Sequence, residues 1–304
     1  MRGKLRTKRK YKTNSTTIRY ERAVKPLQML ILLLVRSNAE EKQIEMKIQQ
    51  IDFNEIELPD LIFKYRNWSS EYHKTIITER KVFMASPSSF EDKLDCKIPI
   101  RYDLLSQREI FDKYFHYSKI DNPKRNRAEH RKHARKWTKK YPLSNPDNIA
   151  LFQKKYFEDF FERFGILSLT AESENDDMWI KYSDDFKGFC VGFNTKIMFE
   201  SFGGGGGNVN YYDELPLIYP EPKFTIGKIY YYQVFSKERK WEFEKEYRTC
   251  KFSQIPFTDE TRNIVLPPEA YKCIILGKNM PTEFKEELRN SIPDELSHIE
   301  IIEN

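Results

Sequence analysis

The stretch Lys240–Phe252 reads KWEFEKEYRTCKF, with carboxylates at Glu242, Glu244 and Glu246 and a guanidinium at Arg248. On a β-strand, residues two apart share a face, so these four charges would line one side of the strand. On a helix, Glu242 and Glu246 would share a face, and so would Phe243 and Tyr247. The first reading makes the stretch the edge of a site, and the second makes it a solvated amphipathic turn. The run EYRTCKF has the composition of a strand. Glu242 is then expected in solvent, with Glu244 and Glu246 facing a cleft and Arg248 offsetting their charge.

Outward from this stretch, short apolar or aromatic runs bounded by charges or turn residues read as further strands: LIFKYR (Leu61–Arg66), KVFMASPSSFED ending in a turn at Pro87, ILSLT, GFCVGF, NVNYYD, KIYYYQVF, YKCIILG and HIEIIE. Helical spacing marks SSEYHKTIITER, Tyr102–Lys119, Pro146–Phe164 with Gly165 after it, NDDMWIKYS, TKIMFESF and PTEFKEELRNSI. The run GGGGG (Gly203–Gly207) reads as a flexible break, because it lacks the lysine and the strand–helix context of a phosphate loop. Helices and strands interleave without the rhythm of a parallel βαβ sheet. The expected class is therefore α+β with a mixed or antiparallel sheet, and residues 102–164 form a helical insertion between an early strand pair and the later sheet.

The 304 residues are 39% hydrophobic and 14% aromatic, enough for a packed core, which excludes global disorder. The 52 Lys+Arg against 46 Asp+Glu give a formal charge of +6, a mild excess. Residues 1–45 form a basic extension, with the apolar run PLQMLILLLV at 26–35 only about half the ~20 residues that span a bilayer. They are expected to lie outside the fold, with a single domain over 46–304 and the native start at Met46. Cys96, Cys190, Cys250 and Cys273 lack metal-ligand spacing and read as buried reduced thiols, consistent with a cytoplasmic protein and no membrane partner.

Four pieces, FKYRNW (63–68), MASPSSFEDKLDC (84–96), DDMWIKYSDDFKGFCVGF (176–193) and KWEFEKEYR (240–248), resemble in this order the bacterial family called domain of unknown function 2971. The resemblance covers Leu61 to Gly277. Where that family reads Phe-Asn-Asp-Pro-Phe-Asp, this chain has FEDKLD, with Glu91 in place of the amide and Lys93 in place of the proline. It implies a compact bacterial protein, of the kind found in phage defence or toxin-like systems, and implies no reaction.

The order of an early strand arginine, a second strand with serine and a late Glu-x-Glu is similar to the layout of ADP-ribosyltransferases. That layout implies a nicotinamide dinucleotide (NAD) as ligand. Glu246 would be the catalytic carboxylate and Glu244 its partner, because carboxylates stabilise a developing oxocarbenium ion. Arg66, beside Lys64 and Tyr65, would grip a phosphate. Ser86 would support the glutamate, Trp179 or Tyr182 would stack on a ring, and Arg248 would balance charge. The plain alternatives are a solvated strand end at Arg66 and Lys64, a turn residue at Ser86, core packing for Trp179 and Tyr182, and an exposed strand at EFEKEYR.

A non-catalytic alternative rests on the basic segment Lys124–Lys140, KRNRAEHRKHARKWTKK. Here Lys132, Arg135, Lys136 and Trp137 would contact nucleic-acid phosphates while an aromatic cleft binds a nucleotide; otherwise the segment is a solvated helix facing the acidic parts of the chain. His130 and His133 are embedded among cations that oppose a divalent ion, so no metal is expected.

Overall fold

The computed structural model describes residues 58–203 and 206–303. The expectations for residues 1–45, and for a start at Met46, lie outside the described residues.

The centre of the fold is an apolar strand pair. Strand β1 (Leu61–Arg66) runs antiparallel to β4 (Phe189–Asn194), in register from Leu61↔Asn194 to Arg66↔Phe189. Every β4 residue from Phe189 to Phe193 is buried, because the strand is covered on both faces. Strand β3 (Phe164–Thr170) lies on the other side of β1. Beyond it come β8 (Glu246–Phe252) and the edge strand β5 (Gly206–Asn208). Past β4 lie β10 (Tyr271–Leu276) and β11 (Glu300–Glu303), the latter pair parallel. The sheet order is β11-β10-β4-β1-β3-β8-β5, so the protein is α+β with a mixed sheet.

One joint in this sheet is nearly open. β3 pairs with β8 along its whole length, from Phe164↔Phe252 to Thr170↔Glu246, whereas β1 and β3 are in register only at Phe63↔Thr170. Beyond that point they part, and Lys64 Nζ donates to the Ser168 carbonyl across the gap. The sheet is thus two leaves hinged at one residue pair.

Between the leaves' strands the chain inserts α2 (Gln107–Asp121), α3 (Arg127–Lys140) and α4 (Pro146–Arg163). Ser106 with Glu109 and Asn126 with Glu129 form capping boxes that fix where α2 and α3 start. These helices share a core of their own, in which Ile100, Tyr114, Ala134 and Ile229 are buried. The helical middle is therefore an insertion with its own apolar centre.

Three expectations need correction. The run KIYYYQVF forms helix α7 (Ile226–Phe235). Thr225 caps it by accepting from Lys228 N, and Ile229, Gln233 and Val234 bury at helical spacing, so packing overrides the β-preference of three tyrosines. Gln233 also bonds both backbone groups of Ile98 (3.0 and 2.7 Å), which satisfies its buried amide and ties α7 to that segment. The glycine run, read as a break, contributes β5: a Cβ at Gly206 would sit 2.8 Å from both the Arg248 carbonyl and the Phe199 ring, so glycine lets an edge strand approach β8. The early strand pair also does not form. β2 (Lys81–Phe83) instead makes a separate ladder with β9 (Asn263–Val265).

The opening stretch is half strand. Arg239–Glu244 is a 3₁₀ turn, Lys245 is left-handed (φ 41°), and only from Glu246 does the chain extend. Cys96, Cys190 and Cys273 are buried free thiols, and Cys250 is half-buried. Among the described residues, no helix is long and apolar enough to cross a membrane.

Candidate functional site

A cleft of about 270 Å³ opens where β1 and β3 part. One side is β1 from Phe63 to Arg66, and the other is Ser168 and Leu169 of β3. Strand alternation puts Lys64 and Arg66 on one face of β1. Neither makes an ion pair within 4 Å among the described residues; Arg66 Nη1 has a long bond (3.5 Å) to the Tyr65 carbonyl. Burial, and next the Arg66 charge, drives the Lys64 ammonium well below the ordinary lysine range. Burial likewise lowers Arg66 to about 10. These are two desolvated basic groups side by side, and Glu246 and Glu244 act on Lys64 only from beyond ion-pair distance.

The other leaf brings the carboxylates. Glu246 and Arg248 share a face of β8, as strand geometry requires. Arg248 donates Nε to Glu246 Oε1 (2.7 Å) and Nη2 to Oε2 (2.9 Å), while the same Nη2 bonds Asp95 at 2.8 Å. Lys237 Nζ, from β7 (Ser236–Glu238), bonds Glu246 at 3.0 Å and Glu244, and lies 3.6 Å from Asp95. Three carboxylates and two cations are thus packed together with no more than 7% of any side chain exposed. Burial alone would protonate Glu246, but Arg248 and Lys237 outweigh it and hold the carboxyl at about 2. Burial opposes the charge on Lys237 too, and Glu246, Asp95 and Glu244 overcome it, raising the ammonium above its usual range.

Glu244 is the less saturated of the pair. Tyr182 donates its hydroxyl to Oε1 at 2.6 Å, and Lys181 stands 3.6 Å away at the cleft wall. Burial, then Glu244, pushes the Tyr182 hydroxyl up, so it stays a donor. Glu244 ends the 3₁₀ turn, and the left-handed Lys245 joins that turn to β8. Lys237 Nζ bonds both glutamates across this junction.

Tyr182 and Lys181 end α5 (Asp176–Tyr182), a short helix capped by Asn175. Asp184, Asp185 and Phe186 follow, all left-handed, and Gly188 closes this turn against β1. A Cβ at Gly188 would lie 2.1 Å from the Arg66 carbonyl, so glycine is what lets the turn sit behind Arg66. Trp241 forms an aromatic side of the cleft, its indole N–H bonded to Asp92 (2.5 Å) and its ring under Lys181 Nζ (3.8 Å).

Lys64, Tyr65, Arg66, Tyr182, Glu244 and Glu246 therefore meet at one cleft. Tyr65 is pinned there, its hydroxyl bonded to the Glu172 carbonyl at 2.9 Å. Arg248 lies behind the cleft as a counter-charge. Two expected residues are elsewhere. Ser86 caps the turn Pro87–Ser89 and donates to the Phe161 carbonyl (2.8 Å), so it does not support Glu246. Trp179 is fully buried, stacked on Phe186 with its N–H on the Ser173 carbonyl, so it cannot stack on a ligand. Lys237, Asp95, Lys181 and Trp241 were not anticipated. Trp241 and Asp95 stand inside stretches already singled out; Lys237 has no local signal, because it follows a run misread as strand.

The basic residues Lys132, Arg135 and Lys136 are exposed on α3, outside the lining of this cleft, and Trp137 is half-buried against Tyr141. Among the described residues no group of three or more His, Cys, Asp or Glu could hold a metal ion, and His130 Nδ1 pairs with the Ser118 hydroxyl at 2.9 Å. No family model, curated protein or solved structure matches the chain.

Proposed function

We propose that the cleft binds a nicotinamide dinucleotide and cleaves its N-glycosidic bond, an ADP-ribosyltransferase-like reaction. One observation carries this reading: two basic side chains without an ion pair within 4 Å among the described residues, Lys64 and Arg66, share a cleft with the carboxylates Glu244 and Glu246. The cations suit the diphosphate, with Arg66 able to bond two oxygens at once. A volume near 270 Å³ suits the nicotinamide riboside end, since sites for whole drug-sized ligands run from about 300 Å³.

In the reaction the bond from ribose C1′ to the nicotinamide nitrogen breaks, and the electron pair leaves with nicotinamide. Positive charge grows on C1′ and the ring oxygen, where a fixed carboxylate lowers the barrier. Water or an acceptor hydroxyl then bonds C1′ and gives up its proton. Glu244 is the glutamate closer to this role, because Glu246 accepts three bonds from Arg248 and Lys237 whereas Glu244 accepts two, from Tyr182 and Lys237. Glu246 anchors Lys237, which in turn orients Glu244.

The test is nicotinamide release from labelled dinucleotide by the parent protein and by Glu244→Gln and Arg66→Ala. A loss of about 100-fold in Glu244→Gln corresponds to ~2.7 kcal/mol of barrier. Binding of the dinucleotide without release would reduce the site to a nucleotide-binding module. Absence of both would remove the nucleotide reading.

A further inference from the structure

Helix α3 is covered with charge that the other described residues do not pair. Arg127, Arg131, Arg135 and Lys139 form one row at i,i+4 spacing, and Lys132, Lys136 and Lys140 form a second; all seven are exposed. Among the described residues none of them makes an ion pair within 4 Å; the contacts of Lys140 are with the rings of Trp137 and Tyr141, at 5.3 and 5.1 Å. Like charges at i,i+4 repel along a helix. The helix stands because of its capping box and its inner face, where His130 and Ala134 are buried.

The charge is set apart in the sequence as well. Residues 124–140 hold nine Lys/Arg against one Glu, and residues 1–45 hold twelve against four. The remainder of the chain has 31 Lys/Arg against 41 Asp/Glu. The remainder is thus acidic, and the basic charge outside 1–45 is concentrated on this one helix.

We propose that α3 is a docking surface for a nucleic-acid strand, held through its phosphates without base readout. The rows step by about 6 Å along an axis of roughly 20 Å, so they present an extended series of positive charges rather than one anion pocket. Phosphate neutralisation by such Lys/Arg rows is the sequence-independent part of nucleic-acid binding. A membrane surface suits the helix less well. Interfacial helices insert an apolar face, and the apolar side of α3 is already packed in the helical core. This surface lies apart from the cleft, and the proposal does not rest on the dinucleotide reading.

The test is fluorescence anisotropy of the full chain with labelled 20-nucleotide RNA and DNA strands across a salt series. The triple variant Lys132→Glu, Arg135→Glu, Lys136→Glu is compared with Lys251→Glu, Lys272→Glu, Lys278→Glu, which makes the same change in net charge elsewhere. Circular dichroism verifies that both fold, and a Gln version of each triple removes charge without reversing it. Supporting results are at least a tenfold loss in the α3 variant only, with its salt slope shallower by about 2–3, as expected for three lost phosphate contacts. Equal losses in both triples, or an unchanged slope, would overturn the proposal. So would tighter α3-dependent binding to phosphatidylserine vesicles than to the strands at equal phosphate concentration.

Discussion

Arg248 grips Glu246 with two nitrogens, Nε at 2.7 Å and Nη2 at 2.9 Å, from a side chain with no solvent exposure. The same guanidinium bonds Asp95 and the Val234 carbonyl, so one side chain ties Glu246, Asp95 and Val234 together. Removing one partner of a buried ion pair leaves the other charge desolvated, at a cost of about 3–5 kcal/mol. Arg248→Met is expected to destabilise the protein by that order in urea unfolding. Arg248→Lys is expected to recover less than half, because an ammonium cannot make the paired contact.

Arg66 predicts the opposite behaviour. It is a desolvated cation without a carboxylate partner, so its charge costs the folded state rather than supporting it. Arg66→Met is expected to leave the melting temperature unchanged or raise it by a few degrees, while dinucleotide or phosphate binding is lost. A fall in melting temperature as large as that of Arg248→Met would show Arg66 to be structural.

Anion binding should draw a proton into the cleft. Lys64 is held below its usual range by burial and by Arg66, and a bound phosphate would oppose both by favouring the ammonium. Titration calorimetry in two buffers of different ionisation heat, run across a pH series, is expected to show net proton uptake that is reduced in Lys64→Met. Equal uptake in that variant would assign the proton to another group.

Two buried charges make stability rise with pH in two separate windows, one acidic and one alkaline. Glu246 has its folded value lowered to about 2, so its contribution is present above about 4.5 and is lost as pH falls toward 2. The stability gap between the parent and Glu246→Gln should therefore shrink between pH 5 and pH 2.5. Lys113 is caged by Tyr117 and Phe152 rings (4.7 and 4.3 Å), and burial lowers it to about 8 against a weaker pull from Glu221. Between about 8 and 10.5 only the unfolded chain holds that proton, so this term makes stability rise with pH. Lys113→Met should flatten that rise.

Lys245 is the hinge of the acidic pair, and left-handed backbone costs a non-glycine residue roughly 1–2 kcal/mol. Lys245→Gly is expected to keep the fold and leave nicotinamide release intact. Lys245→Val, β-branched at a positive φ, is expected to lower stability and misplace Glu244, seen as lost release with the sheet's circular dichroism retained.

Hydrophobic pattern was enough to locate β1, β3, β4, β8 and β10 and the helical insertion, because those segments bury the faces that their own periodicity marks. The same local chemistry marked Arg66, Lys64, Glu244, Glu246 and Tyr182, since charge beside aromatic residues at strand ends is visible in one dimension. Folding alone decided that β1 and β3 part after a single residue pair, which turned those side chains toward one space. It also decided that KIYYYQVF is a helix, that Ser86 and Trp179 serve packing and capping, and that Lys237, with no local mark, and Asp95 complete the charge network. Periodicity records how one segment meets a core. Which segments lie side by side, and which buried charges must neutralise each other, depends on pairings between residues as distant in sequence as Asp95 and Arg248, 153 positions apart, and those exist only in the folded chain.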